Sequence, residues 1–220
     1  MRAGSDHPYV YHLLSGWVSR KRRIADGREQ IILMFLPGEL FAMKSMFVSC
    51  QPDEVSALTD AVVQRVHYRD IHRSFCTDID VAHRCMWQIV AEERRLHTWI
   101  FALARTSAEE RLAWALLDFR TRLADGNAIA SNASRYTMPL TQEQLSCHLG
   151  ITPVHMNRVL KRMRENGILT LQGHEVVIHR PAQLTAIALP LLDLDQQGIH
   201  ESELQPAAEP RLPLDVLSRG

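Results

Sequence analysis

The chain has 220 residues, with 25 Lys and Arg against 25 Asp and Glu. That is enough for one large domain or two modest ones, and it gives no global positive charge. No apolar run approaches the ~20 residues of a membrane span, and the start Met-Arg-Ala-Gly-Ser-Asp is not a signal peptide. Cys50, Cys76, Cys85 and Cys147 form no CxxC pair or disulfide framework and read as reduced thiols of a cytoplasmic protein.

The first part of the chain reads as β-structure. Tyr9–Leu14 and Trp17–Ile24 flank a Ser15-Gly16 turn, and Asp26-Gly27 is a hairpin signal before a third strand, Glu29–Phe35, which ends at Pro37-Gly38. Two later β-rich runs are Glu54–Leu58 and Ala61–Val66. Short strands punctuated by Gly and Pro predict a sandwich or jelly roll.

The period then changes. Between Asp80 and Ala104, apolar residues fall at Ala82, Met86, Ile89, Leu96, Ile100 and Leu103, interrupted by Glu93. Steps of three and four predict a dimerisation helix with Glu92, Arg94 and Arg95 outward; a helix lying on its own barrel is the plainer alternative. Ser107-Ala-Glu-Glu110 is a capping box that opens another helix to about Leu123, with Leu112, Leu116, Phe119 and Leu123 on one side. Residues 124–136, rich in Ala, Gly, Asn and Ser, read as a loop between domains.

Residues 141–167 carry the most information. Thr141 and Gln144 form a second capping box, Leu145 and Leu149 share a face, and Gly150 stands where a helix needs a left-handed residue. Ile151 is expected to plug between two helices. Thr152 caps the second, with Pro153 at its first position. Met156, Val159, Leu160 and Met163 make one buried stripe, leaving His155, Asn157, Arg158, Lys161 and Arg162 outward until Asn166-Gly167 stops the helix. Ile168–Leu171 and Glu175–Ile178 around a Gly turn read as a hairpin. The whole is a winged helix-turn-helix built to push one helix into the major groove of double-stranded DNA.

In that docking mode the N-terminal half of the second helix reads bases, here Val154, His155, Asn157 and Arg158. Arg158 suits guanine, Asn157 suits adenine, and Val154 suits a thymine methyl. Thr141, Gln142, Thr152, Lys161, Arg162 and the wing-tip His174 are the candidate phosphate contacts. Charge is unevenly placed. Residues 139–187 carry five basic and three acidic residues, whereas 188–220 carry two basic and six acidic ones. The acidic tail therefore hides a basic body. With Pro190, Pro206, Pro210 and Pro213, the tail is expected to be disordered.

Taken in order, jelly roll, long helix and winged helix resemble the Crp/Fnr family of bacterial transcription regulators over about residues 9–185. The resemblance rests on Leu14-Ser15-Gly16-Trp17, Asp26-Gly27-Arg28-x-Gln30-Ile31, Leu36-Pro37-Gly38-Glu39-Leu40 and the stretch 140–171. It implies a homodimer on a two-fold symmetric operator, in contact with RNA polymerase. It also implies a further helix and about two strands before the first strand, where this chain has eight residues. On that comparison the native start lies upstream or the barrel is open at one edge.

The family's cyclic-nucleotide cassette supplies a Glu for the ribose and an Arg for the phosphate. Aligned on Pro37–Lys44, those places fall to Met43 and Val55. Cyclic AMP is therefore not expected to bind by the usual route. The clustered N-terminal cysteines of the iron–sulfur members are missing, and the 11 histidines show no ligand spacing, so no metal or other cofactor is expected and the effector is left open. The nearest well-known members carry Arg and Glu where Pro153 and Val154 stand, which implies a different half-site.

These readings give an α+β fold: a partial β jelly roll (1–77), a dimerisation helix and its successor (78–123), a winged helix-turn-helix (124–187) and a tail (188–220). They predict a homodimeric, sequence-specific regulator that is not an enzyme, since metal chemistry on the barrel would have only His12 and Glu29 in the first three strands. The alternative is a module whose winged helix serves protein contacts.

Overall fold

The computed structural model describes residues 1–196. Two three-stranded antiparallel sheets form the N-terminal part. One has the order β4-β1-β6 and the other β3-β2-β5, built from β1 (Tyr9–Ser15), β2 (Val18–Arg23), β3 (Glu29–Phe35), β4 (Leu40–Phe41), β5 (Glu54–Ala57) and β6 (Val62–His67). The Asp26-Gly27 hairpin sets the β2–β3 register, with Val18 opposite Phe35 and Arg23 opposite Glu29. Leu13, Val18, Leu33, Phe35, Phe41, Ala42 and Val55 fill the space between the sheets. Ahead of β1, the backbone of Met1 exchanges hydrogen bonds with Val55, and Asp6 bridges Cys50.

A short helix, α1 (Tyr68–Phe75), follows β6 and buries only Ile71. Tyr68 and Phe75 pack beside it, half-buried, at i−3 and i+4, a helical spacing only two turns long. The long helix α2 (Ile79–Arg105) is capped by Asp78. Then α3 (Ala108–Asp125) opens with both hydrogen bonds of the Ser107/Glu110 capping box in place. Arg111 ties the two helices together, its guanidinium donating to the carbonyls of Ala102 and Thr106 at 3.1 and 2.7 Å. It thereby satisfies acceptors that a helix end would otherwise leave unpaired.

The C-terminal unit contains α4 (Gln142–Leu149), α5 (Pro153–Glu165), the hairpin β8 (Leu169–Gln172) and β9 (Glu175–Ile178), and α6 (Pro181–Gln196). A third strand, β7 (Arg135–Thr137), pairs with β9, so the expected interdomain loop ends in the sheet. Three residues are too few to show alternation. Tyr136 is nonetheless buried, and its hydroxyl donates to the Leu116 carbonyl at 2.7 Å.

The expected disorder from 188 onward is corrected as far as Gln196. Leu184, Ala188 and Leu191 are fully buried at i, i+4 and i+7, and they carry α6 onto α3 and α2. Pro190 lies on the exposed side of that helix, where water can take the bond its missing N–H forgoes. The rest of the expected tail lies outside the described residues.

A second correction concerns α2. Glu92 and Arg95 do not face outward. Glu92 is buried and accepts from Arg20 at 2.8 Å, and Arg95 reaches Glu39 at 3.3 Å. Both therefore hold α2 against the β-sheets. The largest core is continuous across the two halves of the chain. Ile31 and Met34 of β3, with Trp17 just before β2 and Leu36 just after β3, pack with Trp99 and Ala102 of α2, with α3, and with the cores of α4, α5 and α6. Trp17 meets Phe119 edge to face at 5.2 Å.

Candidate nucleic-acid interface

The helix-turn-helix is written in its caps. The Thr141 hydroxyl accepts from the Gln144 backbone at 3.1 Å while the Gln144 side chain accepts from the Thr141 N–H at 2.9 Å. Gly150 takes φ 65° to turn the chain. Ile151 is half-buried against the core, and the Thr152 hydroxyl accepts from the His155 N–H at 3.2 Å to open α5, with Pro153 next. Met156, Val159 and Met163 are buried, Leu160 is half-buried, and the helix ends at Asn166 with Gly167 at φ 63°.

Val154, His155, Asn157 and Arg158 are all exposed on the N-terminal half of α5. Asn157 and Arg158 make no side-chain hydrogen bond or ion pair among the described residues. His155 differs, because with Thr152 it borders a shallow cleft shared with Glu29, Gln30 and Arg111. Thr141, Gln142 and Thr152 are exposed, and the two Thr hydroxyls, used as acceptors in capping, keep their protons free to donate. Lys161 pairs with Glu165 at 3.7 Å, and Arg162 with Glu109 at the start of α3 at 3.2 Å. His174 is exposed at the tip of the wing.

The expectations above missed His148. It lies on α4, fully buried, with its ring 4.4 Å from that of Trp99 and 6.0 Å from that of Phe119, and its Nδ1 3.3 Å from the Ile31 carbonyl. Burial pulls its pKa down to about 4, with the Ile31 carbonyl opposing. The Gln30 amide donates to the His148 carbonyl at 3.1 Å, and the Cys147 thiol donates to the Glu29 carbonyl at 3.1 Å. The first helix of the DNA motif is thus docked on β3. A lone His inside a short amphipathic helix carries no signal of this in the sequence.

A second tie joins the same halves. Arg122 of α3 donates to both carboxylate oxygens of Glu39 at 2.8 Å, to Asp118 at 2.8 Å, and to the Met34 carbonyl. Burial would push the Glu39 carboxyl up, but Arg122 and Arg95 outweigh it and hold it below the usual range. Beside this cluster Gly126 meets the Pro37–Gly38 turn so closely that a Cβ on Gly126 would lie 2.1 Å from the Pro37 carbonyl oxygen.

Met43 and Val55 are buried in apolar cores. Between them stands an ionic cluster. Asp53 is buried and meets Lys44 at 3.0 Å, Arg22 at 2.6 Å and Arg20 at 3.8 Å, and Arg20 also holds Glu92. Lys44 is therefore a structural partner of Asp53. All four cysteines are free, and burial raises the Cys85 thiol to about 11. Among the described residues no cluster of His, Cys, Asp or Glu could hold a metal ion, and no helix is long and apolar enough to cross a membrane.

On α2, Ile79, Met86, Ile89, Glu93, Ile100 and Leu103 are exposed, Met86 at 62% and Ile100 at 67%. Ala82 is half-buried, and so is Leu96, which leans on the inter-sheet core.

Sequence and structure comparisons agree with this architecture. The cyclic nucleotide-binding domain family matches residues 1–76, and the Crp-like helix-turn-helix domain family matches residues 110–187. The CRP-like cAMP-activated global transcriptional regulator of Mycobacterium tuberculosis is 30% identical over 173 residues, covering 77% of this chain and 75% of that one. The chain belongs to the Crp/Fnr family of transcription regulators. Another relative in this family is the transcriptional activator protein Anr of Pseudomonas protegens, 24% identical over 85% of this chain and 75% of its own. Among solved structures, FixK2 from Bradyrhizobium japonicum superposes with a TM-score of 0.74 at 26% identity, over 84% of this chain and 90% of that one. As a Crp/Fnr regulator, the protein carries an α+β fold and a DNA-binding helix-turn-helix.

Proposed function

We propose that this Crp/Fnr regulator works as a homodimer that reads a palindromic operator through α5 and recruits or contacts RNA polymerase in the cytoplasm, without answering to cyclic AMP. The observation that carries the reading is the division of α5 into two faces. Met156, Val159 and Met163 are buried, while Val154, Asn157 and Arg158 are exposed, the last two with no competing partner among the described residues. Arg158 would pair with guanine and Asn157 with adenine, His155 would meet a base edge or a phosphate, and Thr141, Gln142, Thr152, Lys161, Arg162 and His174 would hold phosphates.

The exposed stripe on α2 supports the dimer. Ile79, Met86, Glu93 and Ile100 recur every seven residues, the spacing of a two-helix seam. Uncharged, buried Met43 and Val55 support the lack of cyclic AMP binding, because neither can pair with a ribose hydroxyl or a phosphate, and the nearby Arg20 and Arg22 are already held by Asp53 and Glu92. The test is selection of random duplexes by the purified protein without ligand. The expected outcome is an enriched palindrome with half-sites about one helical turn apart. Enrichment of a single half-site would remove the dimer, and an unenriched pool in the presence of a candidate effector panel would remove the reading itself.

A further inference from the structure

A cavity of about 440 Å³ opens between the end of β1, the Pro37–Leu40 turn, the middle of α2 and the end of α3. It lies outside the cassette region around Met43 and Val55. Its α2 wall is Arg84, Trp87, Gln88, Ala91 and Arg95, one stripe at i, i+3, i+4, i+7 and i+11. The exposed apolar stripe holds Met86 and Glu93, so the two are offset by two residues, or about 200° around the helix. Pairing through the apolar stripe would leave the cavity open.

Its lining is rich in hydrogen-bond donors that lack acceptors. Arg84 Nε, Gln88 Nε2 and Arg95 Nε are out of solvent reach with no hydrogen-bond partner, and so are both ring nitrogens of His12. His12 is 6% exposed. Its polar neighbours are Gln64 and the Gly38 backbone, and burial pulls the imidazole toward the neutral form. A donor buried without an acceptor costs free energy and is rare without a role. Charge limits what can supply the acceptors. Glu39 and Asp118 already hold Arg122, and Glu39 holds part of Arg95, so Arg84 is the lining guanidinium with no carboxylate partner among the described residues, beside the Asp125 carboxyl. The site has room for about one more negative charge; a doubly charged phosphate would meet Glu39 and Asp125.

We propose that this cavity is a binding site for a small organic monocarboxylate or hydroxy acid, held by Arg84, Gln88 and Arg95 over His12. Arg95 shares Glu39 with Arg122, so the ligand would sit beside the tie that joins the β-sheets to α3. The binding claim stands apart from DNA recognition and is measured on the protein alone.

The full chain is titrated calorimetrically with a panel of small mono- and hydroxycarboxylates, each beside its amide, and with inorganic phosphate. At least one carboxylate is expected to saturate a single site, with its amide and phosphate weak or silent. Arg84 and Gln88 make no other polar contact among the described residues, so Arg84→Gln and Gln88→Leu should leave the urea midpoint near that of the parent. Arg84→Gln should weaken the acid by about tenfold or more, as the loss of a charge-assisted hydrogen bond does. Binding by no acid in the panel, equal binding of acid and amide, or undiminished binding to both folded variants would each overturn the proposal.

Discussion

Acid should loosen the joint between the β-sheets and the DNA-binding unit through one side chain. His148 is neutral in the fold, with a pKa of about 4, wedged between Trp99, Phe119 and the Ile31 carbonyl. Its value in the unfolded chain is roughly 6.5. The unfolded state therefore binds the proton first, so stability is complete above the unfolded value and falls as pH drops from there toward the folded one. The span amounts to about 3 kcal/mol in total, of which about 2 kcal/mol is gone by about pH 5. The assay is urea unfolding at about pH 7.5 and about pH 5, in the parent and in His148→Gln, which stays neutral throughout. Glu39 and Asp53, whose carboxyls are held low by their cationic partners, titrate alike in both proteins and cancel in the comparison. The parent should lose about 2 kcal/mol more than the variant between the two conditions. The same loss in both would refute the assignment of the acid sensitivity to His148.

Three further outcomes follow from the site and its supports. Arg158→Ala should cost about 1–3 kcal/mol at the selected operator and little on random duplex, whereas Lys161→Ala should weaken both and flatten the salt slope; titrations at several salt concentrations separate the two, and equal losses for Arg158→Ala would defeat base reading. Glu39→Gln removes the carboxylate shared by Arg95 and Arg122 and should destabilise by about 3 kcal/mol, because it strands buried positive charge; an unchanged urea midpoint would show that Asp118 alone suffices. Ile100→Glu, on the exposed stripe of α2, should turn a dimer into a folded monomer by light scattering, and a dimer that survives it would place the seam elsewhere.

What could be read in advance was whatever is encoded locally. Thr141 with Gln144, Gly150, Thr152 with Pro153, and the Asn166-Gly167 stop fix two helices and their turn without any distant contact. The β-strands were legible because Gly and Pro mark their ends. What escaped depends on partners far along the chain. Glu92 and Arg95 look like solvated charges until Arg20 and Glu39 are brought up to them. Helix α6 was hidden by Pro190 and a run of acids, although Leu184, Ala188 and Leu191 keep a helical period. Strand β7 is three residues long and exists because β9 offers an edge. His148 is one imidazole in an eight-residue helix, and only the approach of β3, α2 and α3 gives it a role.

The long-range contacts that sequence could not supply join the β-sheets to α2 and α3. A buried ion pair seldom adds much net stability over an apolar pair of the same shape, yet breaking one side of it is expensive. Arg20–Glu92 fixes α2 on the β3-β2-β5 sheet, and Glu39–Arg95–Arg122 fixes the turn after β3 to both α2 and α3. Apolar packing at those places would tolerate sliding, whereas a bidentate guanidinium–carboxylate pair holds one geometry or none. The helix that carries Arg122, α3, shares its core with α4 and α5. In the double variant Glu39→Gln with His148→Gln, non-additive operator affinity would reveal that the two ties act as one joint, and simple additivity would show two independent anchors.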